Sequence, residues 1–385
     1  MKTKLQQITS LATWIGMTIT STAFAQPFDA GSTGADGALN VTSNTTLTLP
    51  PNGIFNFTTI NVAAGTTLTF ARNALNTPVH LLATSNVTIN GTIDVSGAVG
   101  SATAGGRGGP GGFDGGYPGL DANTPPGAGL GPGGAAGGVA CCSANTAGAG
   151  GYGVPGGHSS TTNKGAAYGS PLLVPLAGGS GGGGLAGTPG SGGGGGGGAV
   201  LIGSNTRIDV ISPGLIRANG GLCNSINDGS GGGIRLVAPL VTGNGSLTAD
   251  GPCSGGSGRI RIDTTNRRAV TIASNPTASI GANMSVFPTP IPRLDVTEAA
   301  GTIIPEGNAG PVTIQLPFGS TTNRTVTVQA RGFGASVPIA VALTPDSGPR
   351  TVYLATIDNS VDPAQVVINV TLPVNMVVTV NAWTR

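Results

Sequence analysis

A seven-residue unit that returns three times constrains this chain more than any other feature. It reads Gly91-Thr92-Ile93-Asp94-Val95-Ser96-Gly97, then Gly214-Leu215-Ile216-Arg217-Ala218-Asn219-Gly220, then Gly245-Ser246-Leu247-Thr248-Ala249-Asp250-Gly251. Positions three and five are apolar and position four is polar, the period of two that marks a strand with one buried face. The bounding glycines and the small polar sixth residue are turn chemistry. A second unit accompanies it: Val79-His80-Leu81-Leu82-Ala83, Ala199-Val200-Leu201-Ile202-Gly203, Ile234-Arg235-Leu236-Val237-Ala238 and Ile260-Arg261-Ile262-Asp263. Aligned without gaps, Val79, Ala199, Ile234 and Ile260 form one inward row, and Leu81, Leu201, Leu236 and Ile262 the next. The outward row then holds His80, Val200, Arg235 and Arg261.

Each second unit borders a glycine tract, so the tracts leave the same corner of successive repeats. Insertions confined to one place per repeat are the signature of a solenoid. One coil cannot bury its own inward Ile, Leu and Val, whereas stacked coils make a continuous apolar column. A sandwich or jelly roll explains the alternation equally well, but not the phase of the insertions. The expected fold is all-β: a right-handed parallel β-helix-like solenoid with long Gly-rich insertions, followed by a small immunoglobulin-like β-sandwich.

The organisation along the chain follows. Lys2 and Lys4, the apolar Leu11–Ile19 and Ala23-Phe24-Ala25 predict a signal peptide over 1–25, cleaved before Gln26. That apolar stretch is too short for a membrane anchor, and no second long apolar run follows. Residues 26–283 form the Gly-rich β-helix domain, with 38–76 as the start of the stack, capping its first coil, and 98–198 as its Gly-rich insertion. Uninterrupted glycine runs such as 192–198 can lie side by side as polyproline II-type helices, because only glycine permits such close approach. A proline-rich linker spans 284–293. The β-sandwich domain spans 294–385, with strands over 312–316, 325–330, 339–343, 351–357, 365–372 and 377–382.

Charge and cysteine usage narrow the partners. The chain has 17 basic and 15 acidic residues, two of the basic ones in the leader, so the mature chain is neutral and Lys164 is its only lysine. Nucleic-acid binding needs a basic excess and is excluded on this ground. Four cysteines in an exported chain predict disulfides. One pattern joins Cys223 to Cys253 and Cys141 to Cys142. The other ties Cys141 and Cys142 separately to Cys223 and Cys253, and is favoured because a vicinal bridge strains its peptide unit. A zinc site fits poorly, since Cys141 and Cys142 have no spacing between them.

Chemistry is sparse. His80 falls on an outward, solvated strand position. His158 lies in a Gly/Ser/Thr loop without the elbow that a nucleophilic serine needs. Asp94, Arg217 and Thr248 occupy the outward place of the seven-residue unit, so no carboxylate pair stacks there. The glycine-flanked Asp114 and the Thr46/Thr48 and Thr67/Thr69 pairs read as ordinary turn and strand-surface residues. No catalytic residue, metal ligand or cofactor is assigned. Arg235 and Arg261 stack on adjacent coils, with Arg217 and Arg259 nearby. They form a candidate basic stripe for anionic glycans, set against a simpler reading as a solvated face.

The stretch 55–62 (Phe-Asn-Phe-Thr-Thr-Ile-Asn-Val), the unit at 90–97 and the poly-Gly insertions resemble glycine-rich exported bacterial proteins with predicted parallel β-helix folds. The resemblance covers roughly 30–270 and implies a surface or matrix component. The expected function is a non-enzymatic secreted or cell-surface protein of structural or adhesion type that binds extracellular polysaccharide. The alternative is a polysaccharide lyase or hydrolase on the same scaffold. The location is extracellular, on the outer cell surface or periplasmic.

Overall fold

A computed structural model describes residues 28–384 except 120, 122–123, 140–145, 158–162, 188–189, 223–226, 289–291, 309–310 and 335. The predicted leader, His158, Cys141, Cys142 and Cys223 lie outside the described residues. Cys253 lies among them and is exposed.

The chain is all-β, with parallel sheets in its N-terminal part and antiparallel sheets in its C-terminal part. Strands β1 (Ala38–Val41), β2 (Thr45–Thr48) and β3 (Ile54–Phe57) each begin a different sheet. Strands β4 (Thr59–Val62), β5 (Thr67–Ala71) and β6 (Val79–Ala83) pair with them in the same order, all parallel. After β7 (Val87–Ile89) and β8 (Thr92–Asp94) comes the long glycine-rich insertion. It contains the two-residue strands β9 (Gly138–Val139) and β10 (Leu185–Ala186), and β11 (Ala199–Ser204) then closes the circuit. Two further circuits follow: β12 (Arg207–Val210), β13 (Leu215–Arg217), β14 (Gly233–Val237), then β15 (Leu240–Thr242), β16 (Ser246–Thr248), β17 (Arg259–Asp263). Strands β18 (Ala273–Asn275) and β19 (Ser279–Gly281) finish the stack. The first sheet is β1-β4-β7-β12-β15, the second β2-β5-β8-β13-β16-β18, the third β3-β6-β11-β14-β17-β19. Every glycine insertion lies where the chain passes from the second sheet to the third, as their phase in the sequence implied.

The seven-residue units occupy equivalent places. Ile93, Ile216 and Leu247 pair in one row of the second sheet and are fully buried. They meet Ile60, Val87 and Ile208 of the first sheet and Val79 and Ile234 of the third in one core. Each such side chain contributes about 1.5–3 kcal/mol of burial. One expectation needs correction. Val200, not Ala199, pairs with Val79 and Ile234, so Val200 and Ile202 point inward and Leu201 outward. The run Ala199–Ile202 is apolar throughout, so its period carried no register; both faces of β11 are buried. The segment 38–76, read as the start of the stack, supplies β1 to β5 of its first circuits.

The insertion folds as a layer of extended segments with a threefold hydrogen-bond repeat. Within 192–198, the amides of Gly192, Gly195 and Gly198 donate to the carbonyls of Ser101, Ala98 and Val95. Gly193 and Gly196 donate to Gly116 and Phe113, and Gly194 and Gly197 to Asn227 and Ser230. The carbonyls of the same segment accept from Gly106 and Gly109, from Gly179 and Gly182, and from Gly221 and Gly233. A repeat of three with no bonds inside the segment is the pattern of a polyproline II-type helix. Glycine is required at the centre: a Cβ on Gly196 would overlap the Gly179 carbonyl group.

The C-terminal part has strands β20 (Arg293–Ala299), β21 (Thr302–Ile303), β22 (Val312–Gln315), β23 (Asn323–Arg331), β24 (Ser336–Pro345), β25 (Thr351–Asp358), β26 (Ala364–Thr371) and β27 (Val377–Thr384). They form two antiparallel sheets, β21-β20-β23-β26 and β22-β27-β24-β25, whose inner rows share one core around Val326, Val328, Val341 and Val380. All six strands expected in this region are present. Strand β20 was not among them, because its alternating residues are Arg293, Asp295 and a Thr-Glu pair beside the prolines.

Candidate functional site

The four arginines of the expected stripe are all engaged by the protein itself. Arg235 and Arg261 are directly paired on β14 and β17. Two like charges are tolerated there because Asp263 lies between them. Its Oδ1 accepts from Arg261 Nε (2.9 Å) and Nη2 (2.7 Å), and its Oδ2 from Arg235 Nε and Nη2 (3.2 Å each). Arg235 Nη2 also donates to the carbonyls of Asn283 and Ser285. Arg235 and Asp263 are wholly buried, and burial pushes the Arg235 guanidinium below its ordinary value against the pull of Asp263. Arg217 lies on the second sheet and bonds Asp94 one circuit away, Nη2 to Oδ2 at 2.6 Å. Arg259 Nη2 donates to the Tyr168 carbonyl at 2.9 Å, and its guanidinium lies 5.7 Å from the Tyr152 ring centre. These contacts tie circuit to circuit and stack to glycine layer. The alternation Arg259, Arg261, Asp263 was the sequence signal for the missed carboxylate: a period of two puts all three on one face.

The outer face of the third sheet is covered. Phe28, Ala30, Met284, Val286 and Phe287 pack over Leu82, Leu201 and Val237. The first residues of the expected linker are therefore part of this cover. His80, expected to be solvated, lies beneath it with its ring 5.3 Å from that of Phe287. Burial lowers its pKa from 6.5 to about 4, with the Arg235 charge acting in the same sense and a Pro78 backbone hydrogen bond opposing. A segment some 200 residues downstream makes the cover, so the strand pattern alone could not reveal it.

A cleft of about 390 Å³ lies between the glycine layer and the antiparallel part. On one wall Arg72 pairs with Asp114, and the Gly108 amide donates to the same carboxylate at 2.8 Å. Asn76 is fixed by Gly111 (N to Oδ1, 3.0 Å) and Gly112 (Nδ2 to O, 2.6 Å), and Phe113 supplies apolar surface beside it. The opposite wall is β20 and β27, with Asp295 and Asn381. Asp295 accepts from Arg293 Nε at 2.9 Å and from the Gly307 amide at 3.0 Å. The walls are joined by the β24–β25 turn. Ser347 Oγ donates to the Pro125 carbonyl and Arg350 Nη1 to the Gly131 carbonyl, both at 2.6 Å. Gly127 and Gly348 form a parallel bridge beside them. No sequence pattern announces this cleft, because its walls are separated by about 200 residues and meet only in the fold.

No family model, curated protein or solved structure matches the chain. Among the described residues, no group of three or more His, Cys, Asp or Glu side chains is placed to hold a metal ion. No helix among them is long and apolar enough to cross a membrane.

Proposed function

We propose that this is an exported, non-catalytic surface or matrix protein of adhesion type that holds a neutral polysaccharide segment in the cleft between its glycine layer and its antiparallel part. In this reading the three-sheet stack is a right-handed parallel β-helix and the antiparallel part an immunoglobulin-like sandwich. The rotation of the chain through three parallel sheets supports the first, and two sheets sharing one core support the second. The leader pattern at 1–25 supports export.

One observation carries the ligand class. The charged groups of the cleft are already paired within the protein, Arg72 with Asp114 and Asp295 with Arg293, while the side-chain amide of Asn381, a residue whose backbone is in the β24–β27 ladder, makes no hydrogen bond among the described residues. Planar amides and fixed ion pairs beside apolar surface suit sugar hydroxyls and the C–H faces between them. The same pairing favours holding a chain over transferring a proton to it, which needs a carboxyl poised near the working pH.

The test is retention of the mature chain on a glycan array of neutral and acidic polysaccharides, with the products checked for shortening. Binding to neutral glycans without cleavage is expected, weakened about tenfold by Asn381→Ala through the loss of roughly 1.4 kcal/mol. Binding to no glycan would overturn the ligand reading, and any shortening of the polysaccharide would overturn the non-catalytic one.

A further inference from the structure

The two ends of the antiparallel part are unequal. On one side its sheets stop at β21 and β22, of two and four residues, the short edges by which native sheets avoid pairing with other chains. On the other side they stop at β25 and β26, eight residues each. Neither long edge carries a charge or a proline within the strand before Asp358. Val352 and Leu354 on β25 are 42% and 62% exposed, and Val367 on β26 is 62% exposed.

We propose that β25 is the dimerisation edge of this protein, pairing antiparallel with β25 of a second copy across a twofold axis at Leu354. The register follows from the sequence of the strand. With Leu354 facing its twin, Val352 faces the partner's Thr356, and Arg350, just before the strand with its Nη1 on the Gly131 carbonyl, falls at the position opposite the partner's Asp358, so positions of unlike charge correspond at both ends. Every other in-face register loses that match, including the one that sets Val352 against the partner's Leu354. The pairing satisfies the outward backbone donors and acceptors of the strand and joins two four-stranded sheets into one. It also places two glycan clefts on one particle, which would raise retention on a repetitive polysaccharide through effective concentration. The dimer itself does not depend on that use.

Sedimentation of the purified mature chain over a wide concentration range tests the edge. A monomer–dimer equilibrium is expected, with Leu354→Lys raising the dissociation constant about 100-fold or more because two ammonium groups then meet at the axis. Unchanged thermal unfolding of that variant shows that its fold is intact. Leu354→Cys should give a disulfide-linked dimer above the wild-type background, since directly opposed residues bring their Cβ atoms to about 4.5–5.5 Å. Val367→Cys on the neighbouring edge should not. A wild-type chain that stays monomeric throughout, a dimer indifferent to Leu354→Lys, or cross-linking through Val367→Cys instead of Leu354→Cys would each overturn the proposal.

Discussion

In the three-sheet stack the interior is made of side chains: Ile93, Ile216 and Leu247 in one row, Val79, Val200 and Ile234 in another, all fully buried. In the glycine layer beside it the interior is backbone. The segment 192–198 has no side chain to bury, yet it is enclosed by other segments and bonded to them through every amide. Both regions obey the requirement that buried peptide groups be paired. They differ in what remains after it is met. The stack gains apolar burial, about 25 cal/mol per Å². The layer gains close approach and a dense set of hydrogen bonds, while glycine loses more conformational freedom on ordering than any other residue. A chain so rich in glycine can still be ordered if its glycines pack against one another.

The contrast is broken most severely by one methyl group in the wrong region. Gly196→Ala places a Cβ against the Gly179 carbonyl group and the Ser180 amide, all backbone, which cannot turn aside as a side chain can. The expected loss exceeds about 4 kcal/mol, beyond the range of ordinary substitutions. Ile216→Ala, which removes three carbons from the stack, should cost about 3 kcal/mol. Adding one carbon to the layer should thus do more damage than deleting three from the core. Denaturant unfolding of both variants decides the matter: a Gly196→Ala protein as stable as wild type would mean that the layer is not packed as described.

What could be read in advance follows the same division. The stack was legible because a strand with one buried face writes its period into the sequence, and the three seven-residue units fell into register as aligned. The unit at 199–203 failed because Ala-Val-Leu-Ile is apolar on both faces, so the alternation that fixes register was missing. The layer was legible only as a possibility, since a run of glycines has no pattern to show which segment bonds to which. The cleft was invisible, being built from Arg72, Asp114, Asp295 and Asn381 on walls that no local rule connects. Asp263 lay in plain view in Arg-Ile-Arg-Ile-Asp, but its role appears only once Arg235 is seen to be buried beside it.

The cover over the third sheet sharpens the comparison from the side of the stack, because it makes a strand residue behave as core on both faces. Unfolded His80 takes up a proton as pH falls below about 6.5, whereas the folded residue resists until about 4. The unfolded state therefore binds more protons throughout that window, and stability must fall on acidification from 6.5 to 4 by about 3 kcal/mol. Above 6.5 both states hold the residue neutral and it contributes no slope. His80→Leu should flatten the profile in that window while leaving the decline below pH 4, where Asp94 becomes protonated. Burial raises the Asp94 carboxyl, but hydrogen bonds from Arg217 and Ser96 outweigh it and hold the group below its ordinary value. An unchanged profile for His80→Leu would place the residue in contact with solvent.

The finest test makes the same chemical change, glycine to alanine, where space is free and only the backbone objects. Gly65 sits in the turn between β4 and β5 with φ near +76°, and a Cβ there would meet nothing within 4 Å. Its substitution isolates the strain of a left-handed backbone, about 1 kcal/mol for a residue with a side chain. The difference between Gly65→Ala and Gly196→Ala is then the contribution of interhelical contact in the layer, free of the intrinsic preference of glycine. If the two variants lose the same stability, glycine serves both regions only through its dihedral freedom, and the close packing of 192–198 is not what holds the layer together. If Gly65→Ala loses about 1 kcal/mol and Gly196→Ala several times that, the glycines of the layer are there for what they lack, a Cβ, more than for the angles they can reach.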